Sequence, residues 1–451
     1  MNGKRPYKLP EPLLCSADKE INMTLVDEYI RKHEERMPRY RYLENLYKGF
    51  HDVFRLPEKE SWKPDNRLAV NFPRYITETF LGYAYGIPVK KSHPDEKIKD
   101  AILEFDRDND ISDQEYELAK KCCIYGHAFE YFYQDEEAKT KTVVCNPKEL
   151  FVVYDDTVKS RALFAVRYGK KDDNARYGEI LTRTEIIPFD GEKMQEGVLN
   201  PYGRINCVEY VLNDERIGLY EEVAGMVETY NRVIGEKAND VDSFAEAYLA
   251  VLGAELDEEG VYKIRDNRII NLYGTDNAKD IIVQFLGKPT ADGTQENLLN
   301  RLEDLIYQTS MVANISDESF GNASGTSLAY KLQSMSNLAL TFDRKVEKSM
   351  RKRYKLFCSL ATNVSDRDAW KDIDFTMSRN IPKNLLEEAQ TAQALESIVS
   401  KETQLQVLSI VKDVTEEIDR MEKEEEKKQE TIVEKRMFGG AADEQQDVLE
   451  E

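Results

Sequence analysis

Four histidines, His33, His51, His93 and His127, and six cysteines, Cys15, Cys122, Cys123, Cys145, Cys207 and Cys358, are the side chains of this sequence best suited to chemistry. Nucleophilic catalysis needs a base beside a serine or cysteine, and a bound metal needs Cys or His ligands at short recurring intervals. Neither pattern is present. The histidines stand apart, no two cysteines are spaced for metal or redox work, and no G-x-x-x-x-G-K-[ST] phosphate loop, H-E-x-x-H or G-x-S-x-G occurs. Acidic residues number 85 in 451, and no spaced cluster rises above that background. No catalytic, cofactor-binding or metal-binding residue is assigned, and the chain does not read as an enzyme. Scattered cysteines, with Cys122 and Cys123 adjacent and ill placed for a disulfide, point to a reducing compartment.

What the sequence offers instead is a polar contact segment, VANISDESFGNASGT, at 312–326. Asn314, Ser316, Asn322 and Ser324 can exchange hydrogen bonds with a passing partner, while Asp317 and Glu318 keep the segment from gripping an anion. Gly321 and Gly325 open backbone angles closed to other residues. Ser324 or Thr326 is placed to cap a following helix. An ordinary connection between two helices accounts for the local pattern equally well.

The elements that must hold this segment are helices. Upstream, Leu298, Leu302, Leu305, Ile306 and Thr309 share a stripe, and downstream Leu328, Leu332, Met335, Leu338, Phe342, Val346 and Met350 repeat at helical spacing over 327–361. The downstream helix carries a basic run, Lys345, Lys348, Arg351, Lys352, Arg353 and Lys355, which reads first as a solvated face. Earlier in the chain, one charged amphipathic helix is expected over 17–50, an apolar aromatic segment over 67–90, and a helix over 95–120, after which Gly126 separates a helical pattern from a strand-like one. From 142 to 213 the period shifts to two, predicting short strands and an α+β domain in which helices precede the sheet. Asp214 opens a helix of about thirty residues, roughly 45 Å long. The runs 247–253, 268–273 and 281–287 read as brief strands, 372–379 as one more, and 383–425 as further helices. The tail from 422 is too poor in apolar residues to fold alone.

Composition excludes some function classes. Lys and Arg total 63 against 85 Asp and Glu, a formal net charge of −22, which argues against a protein built to hold nucleic acid by its phosphates. No apolar run reaches the ~20 residues of a membrane helix, and MNGKRPYKLPEPLL at the start lacks a secretory h-region. Cytosolic synthesis and no membrane association are expected.

The order NPYGRINCVEYVLNDE (200–215), YNRVIGEKANDVDSFAEAYL (230–249), NLLNRLEDLIYQTS (297–310) and ISDESFGNASGTSLAYKL (315–332) resembles the portal proteins of tailed bacteriophages, of the siphovirus type. The resemblance covers about residues 17–425. It implies a mainly helical α+β portal fold. An N-terminal arm and α/β wing would occupy 1–213, stem helices 214–243 and 290–311, and a small β-containing clip 244–289. A tunnel loop would follow at 312–326, a long helix and wing return strand at 327–382, a helical crown at 383–425 and an acidic tail at 426–451. It also implies a homo-oligomeric ring of twelve at a capsid vertex of the virion, assembled in the bacterial host cytoplasm. Through that ring double-stranded DNA would be packaged by a terminase large subunit and later ejected. Scaffold, major capsid and head-completion or adaptor proteins would be its other partners in joining head to tail. By position, Asn314, Ser316, Asp317, Glu318, Gly321, Asn322, Ser324 and Gly325 would face the channel. Leu249, Val251, Ile270, Val283 and Phe285 would form clip contacts with the motor or with neighbouring subunits, because open strand edges invite pairing. A cytosolic helical scaffold or adaptor without a DNA role is the alternative from another class.

Overall fold

A computed structural model describes residues 7, 9–60, 63–244, 248–252, 282–286, 292–316, 325–381, 385–408, 410–411, 414, 417–425 and 427. Two compact units emerge, one of 1–316 with 331–380, the other of 317–330 with 381–451.

The larger unit begins with β1 (Leu13–Cys15), α1 (Met23–Glu34) and α2 (Met37–Lys48). The single helix expected over 17–50 is thus two. Pro38 sits in the first turn of α2, where it needs no N–H partner, whereas inside a continuous helix its ring would clash with the preceding turn. α3 (Phe72–Tyr85) follows and buries Phe72, Ile76, Phe80 and Leu81. After β2 (Lys90–Ser92), the helix expected over 95–120 also divides, into α4 (Glu96–Asp108) and α5 (Ile111–Tyr125). Asp110 takes φ +48 at the break. Asn109 is buried there, its amide donating to the Phe105 and Thr140 carbonyls while its oxygen accepts from Thr142 N. A tie to a strand thirty residues away, invisible to periodicity, ends α4.

Strands then dominate, as the period of two predicts: β3 (His127–Gln134), β4 (Thr140–Cys145), β5 (Leu150–Asp155), β6 (Ala162–Lys170), β7 (Arg176–Leu181), β8 (Glu185–Asp190), β9 (Lys193–Met194), β10 (Val198–Leu199) and β11 (Cys207–Val211). One sheet runs β1-β5-β6-β7-β8-β10 with β9 beside β8, and another runs β11-β3-β4. Only β1 with β5 is parallel in these two sheets. β5 explains how the layers stack. Phe151 and Val153 face Val26, Tyr29 and Ile30 of α1, while Leu150 and Val152 face Phe129 and Tyr131 of β3. A strand covered on both faces reads as a continuous apolar run, as FVV does.

The first long helix, α6, spans Ala224–Phe244. Its 21 residues make about 31 Å instead of the expected 45 Å, because 214–223 forms turns whose Leu219, Tyr220 and Val223 are buried. β12 (Tyr248–Leu252) and β13 (Ile282–Leu286) pair antiparallel, and the run expected at 268–273 lies outside the described residues. α7 (Asp292–Ser310) packs beside α6. It buries Ile306 and half-buries Leu302 and Leu305 as expected, but at its start it buries Leu299 and leaves Leu298 44% exposed. α8 (Gly325–Phe357) is the longest element, and β14 (Asp374–Thr376) pairs with β2. The basic run of α8 is not simply a solvated face: Arg353 is fully buried. The smaller unit contributes α9 (Leu385–Ala394) and α10 (Lys401–Gln406), joined by Gln404 donating to the Ala392 carbonyl at 2.7 Å. Residues 417–425 are helical, so helix extends a few positions into the tail expected to lack structure; Glu and Lys are good helix formers.

All four histidines are buried in the larger unit, and burial acts most clearly on His33 and His127. His33 Nε2 faces the Pro147 carbonyl at 2.8 Å and must donate, so Nδ1 accepts from the Tyr168 hydroxyl at 3.0 Å. His127 donates from Nδ1 to Glu209 and accepts from Tyr40, both at 2.8 Å. Burial pulls His33 down to about 3 and His127 to about 4, the latter despite Glu209. The unfolded chain binds these protons near pH 6.5 and the folded chain does not. Stability is therefore greatest above about pH 6.5 and falls as the pH drops towards the folded values. At pH 5 the loss is on the order of 2 kcal/mol per histidine. Thermal unfolding at pH 7, 6 and 5 should show a falling midpoint, flattened by His33→Gln relative to its own value at pH 7. A midpoint unchanged between pH 7 and 5 would refute the assignment.

Candidate functional site

The described opening of the polar segment, residues 312–316, follows directly on the hairpin of α6 and α7, and α3 holds that hairpin in place. Phe72, at the start of α3, meets Tyr230 of α6 edge-on at 5.0 Å and Tyr307 of α7 at 5.9 Å; Tyr75, one turn on, meets Tyr307 at 5.9 Å. Edge-to-face aromatic contacts of this kind add directional preference to burial. Ahead of α3, the extended residues 66–70 lie along α6. Asn239 Oδ1 accepts from Asn66 N at 2.6 Å, and Asn231 Oδ1 from Val70 N at 2.8 Å. Between them, a Cβ on Gly235 would come within 2.9 Å of the Asn66 carbonyl. The spacing Asn231, Gly235, Asn239 thus places two acceptors and a gap on one helix face. Lys59 reinforces the strap by pairing with Glu236 at 2.9 Å.

The approach to α6 is locked separately. Arg39, fully buried on α2, pairs through Nε and Nη2 with the two carboxylate oxygens of buried Glu221 and donates to the carbonyls of Tyr125 at 3.1 Å and Arg216 at 2.8 Å. Glu221 also accepts from Gly218 N at 2.9 Å. Below this turn, burial would raise the Glu209 carboxyl, but Arg216 beside it and the bond from His127 hold it well below the ordinary range. The floor of the hairpin is therefore a charged network with its bonds largely satisfied, which gives it one preferred arrangement.

At the far end of α7, Met311 turns the chain with φ +61 and Val312 is buried. Asn314 donates to Glu303 at 3.4 Å and accepts from Ser316 N at 3.2 Å, and the Ser316 hydroxyl meets that of Tyr75 at 3.0 Å. The opening of the segment is thus seated against α7 and α3, with Ile315 half exposed beside it. Asp317, Glu318, Gly321, Asn322 and Ser324 lie outside the described residues. Gly325 is the first residue of α8, so Thr326 falls inside the helix rather than capping it. Leu249 pairs with Phe285 and Val251 with Val283 along β12 and β13, while Ile270 lies outside the described residues. Sequence reading missed Tyr75, Tyr230, Tyr307 and the Arg39–Glu221 pair; the Asn-x-x-x-Gly-x-x-x-Asn spacing of α6 was a readable signal for the strap. Among the described residues no group of His, Cys, Asp and Glu could hold a metal, and no helix is long and apolar enough to cross a membrane.

A family model described as phage portal protein, SPP1 Gp6-like, matches residues 26–431. The chain belongs to this portal family. The portal protein of Bacillus phage SPP1 is 21% identical over 463 residues, covering 94% of this chain and 91% of the relative. The portal protein of Clostridium phage phiCD119 is 23% identical over 400 residues, covering 80% and 85%. A solved chain described as the neck of an empty GTA particle, computed with C6 symmetry, aligns over 74% of this chain and 88% of its own, with a TM-score of 0.46 and 11% identity. Portal membership covers the strap, the hairpin and the polar segment alike, since all lie within 26–431. It also sets aside the adaptor alternative. Portal proteins are structural components of the phage capsid, and the α+β architecture of this chain agrees with that class.

Proposed function

We propose that twelve copies close into a ring at one capsid vertex, enclosing a channel through which a terminase motor drives double-stranded DNA inward and from which the genome later leaves. In this reading 1–213 and 327–382 form the wing, α6 and α7 the stem, 244–289 the clip that meets the motor and later the head-completion protein, and 383–425 the crown. Assembly takes place in the host cytoplasm with scaffold and major capsid protein. The observation that carries the reading is the hairpin ending in the 312–326 segment, with its opening residues seated by Tyr75 and Glu303, in a chain matched by the portal family over 26–431. Charge supports it. Twelve subunits at −22 carry about −264, and an acidic wall repels a polyanion that must keep moving. The segment is the tunnel loop in this reading. It lacks Lys and Arg, so its Asn and Ser side chains make brief, sequence-independent contacts with the backbone.

Two measurements test this. Native mass spectrometry of the purified chain should return a closed oligomer of about twelve, and only monomer or dimer across a range of salt would remove the ring. In procapsids with intact rings, Gly321→Pro should slow DNA packaging severalfold more than Asp317→Asn. Gly325→Pro is the milder probe, since a helix accepts proline in its first turn. Normal packaging rate and genome length with Gly321→Pro would reduce the loop to a connector.

A further inference from the structure

Two solvated helix faces of the larger unit carry opposite charges at the same spacing. On α8, Arg344, Lys348 and Lys352 follow at intervals of four and are all exposed. Their neighbours are engaged: Lys345 with Asp214 at 2.6 Å, Arg351 with Glu347 at 2.8 Å, and Lys355 over the Trp370 ring at 4.5 Å. Arg344, Lys348 and Lys352 enter no ion pair among the described residues, in a chain with 85 carboxylates to choose from. They border an open depression of about 420 Å³ floored by Trp370. On α4, Glu96, Asp100, Glu104 and Asp108 also follow at intervals of four, and all are exposed. Lys99 pairs with Glu96 at 3.1 Å, and Arg107 turns back to the Leu103 carbonyl at 3.2 Å. Asp100 and Glu104, the middle of the row, have no ion pair among the described residues.

The two rows cannot satisfy each other within one copy. α4 turns its buried face towards α8, with Phe105 4.5 Å from Phe357 and 6.3 Å from Tyr354. At about 100° per residue, Asp100 and Glu104 each stand about 160° around α4 from buried Ile102 and about 140° and 100° from Phe105, off the face that meets α8. Arg344, Lys348 and Lys352 likewise stand opposite Val346 and Met350, on the buried face of α8. Both rows advance about 6 Å per step, so each charge on one can meet one on the other in register.

We propose that the Arg344–Lys348–Lys352 row of one subunit docks on the Asp100–Glu104 row of the next, a head-to-tail contact that sets the register of the ring. The proposal rests on the ring reading above. A second copy is the one occupant that covers both faces; duplex DNA would neutralise the basic row and leave the acidic one bare. Head-to-tail contacts between unlike patches are what a cyclic assembly larger than a dimer requires. Copies of net charge −22 also need a local site of opposite charge to be steered together.

Charge-reversed variants test this at one fixed salt concentration near 0.15 M, with circular dichroism confirming that each folds. The pair Lys348→Glu, Lys352→Glu makes both faces acidic, and the pair Asp100→Lys, Glu104→Lys makes both basic. Each variant alone should lower the ring-to-monomer ratio in native mass spectrometry at least tenfold. Mixed in equal amounts they should recover rings, because acidic and basic subunits can alternate. Rings from either variant alone at the wild-type ratio, or no recovery on mixing, would overturn the contact while leaving the ring reading in place. Wild-type protein that stays monomeric would remove the ring reading and this contact together. A basic-row variant that forms normal rings but no longer retains a short duplex bound by the wild type would assign that row to DNA and overturn the proposal.

Discussion

Arg353→Met is expected to destabilise the larger unit by about 3–5 kcal/mol. Arg353 sits on α8, fully buried, and reaches β3 and α5. Its Nε donates to both oxygens of Glu130 at 2.8 and 2.9 Å, and its Nη1 to Glu115. Glu115 would keep Lys91, 3.0 Å away, but Glu130 would keep only the Tyr210 hydroxyl at 3.0 Å. Burial already pushes the Glu130 carboxyl above its ordinary range even with Arg353 beside it, and removing the guanidinium leaves that carboxylate uncompensated in a dry site. A loss of this size is a large share of an ordinary domain's stability, so the variant should give a markedly lower urea midpoint and poor soluble yield. Arg353→Met combined with Glu130→Gln should regain at least about 1.5 kcal/mol, because the penalty lies in the orphaned charge rather than in lost packing. A single variant within about 1 kcal/mol of wild type would refute the brace.

Gly126→Ala is expected to be the next most severe. Gly126 ends α5 with φ +87, and its N–H donates to the Cys122 carbonyl at 2.8 Å. An added Cβ would lie 2.0 Å from the Arg216 carbonyl oxygen and 2.2 Å from its carbon, both backbone atoms that cannot swing aside. Arg216 is itself in the left-handed region, and the same carbonyl accepts from Arg39. The substitution therefore adds left-handed strain of roughly 1–2 kcal/mol and pries apart the turn that Arg39 and Glu221 lock, for a total of about 3 kcal/mol or more. The turn at 213–223 should open first. Limited proteolysis should cut there in the variant under conditions that spare the wild type, together with a lower thermal midpoint. Equal resistance to protease would show that the junction can relax without releasing Arg216.

Both predictions concern residues whose weight was hidden at the level of sequence, and the reasons differ. Gly126 was visible as the punctuation between a helical and a strand-like pattern, and it holds that place. What it approaches is Arg216, ninety residues on, and no local pattern encodes that contact. Arg353 was visible only as part of a basic run. A helix with a charge at every third or fourth position shows the same pattern whether the charge faces water or a buried carboxylate 223 residues away. The helix breaks at Arg36 and Asp110 follow the same division. Pro38 marks the first, whereas the second depends on Asn109 reaching Thr140 and Thr142.

The sequence by itself determined the order of most elements, helices before most of the sheet, a helical pair around short strands, and a polar segment before a long helix, though not the early strand β1. It also carried the portal resemblance, through stretches spread along the chain. These follow from local periodicity, turn residues and composition, which act over a few residues and survive any packing. Only the tertiary structure decided which arginines are buried, where α6 begins, that residues 66–70 strap the hairpin, and that the charged rows of α4 and α8 face away from each other. Those outcomes depend on partners far apart in sequence: a buried ion pair or a seated strap is stable only when both halves arrive together, and neither half announces the other.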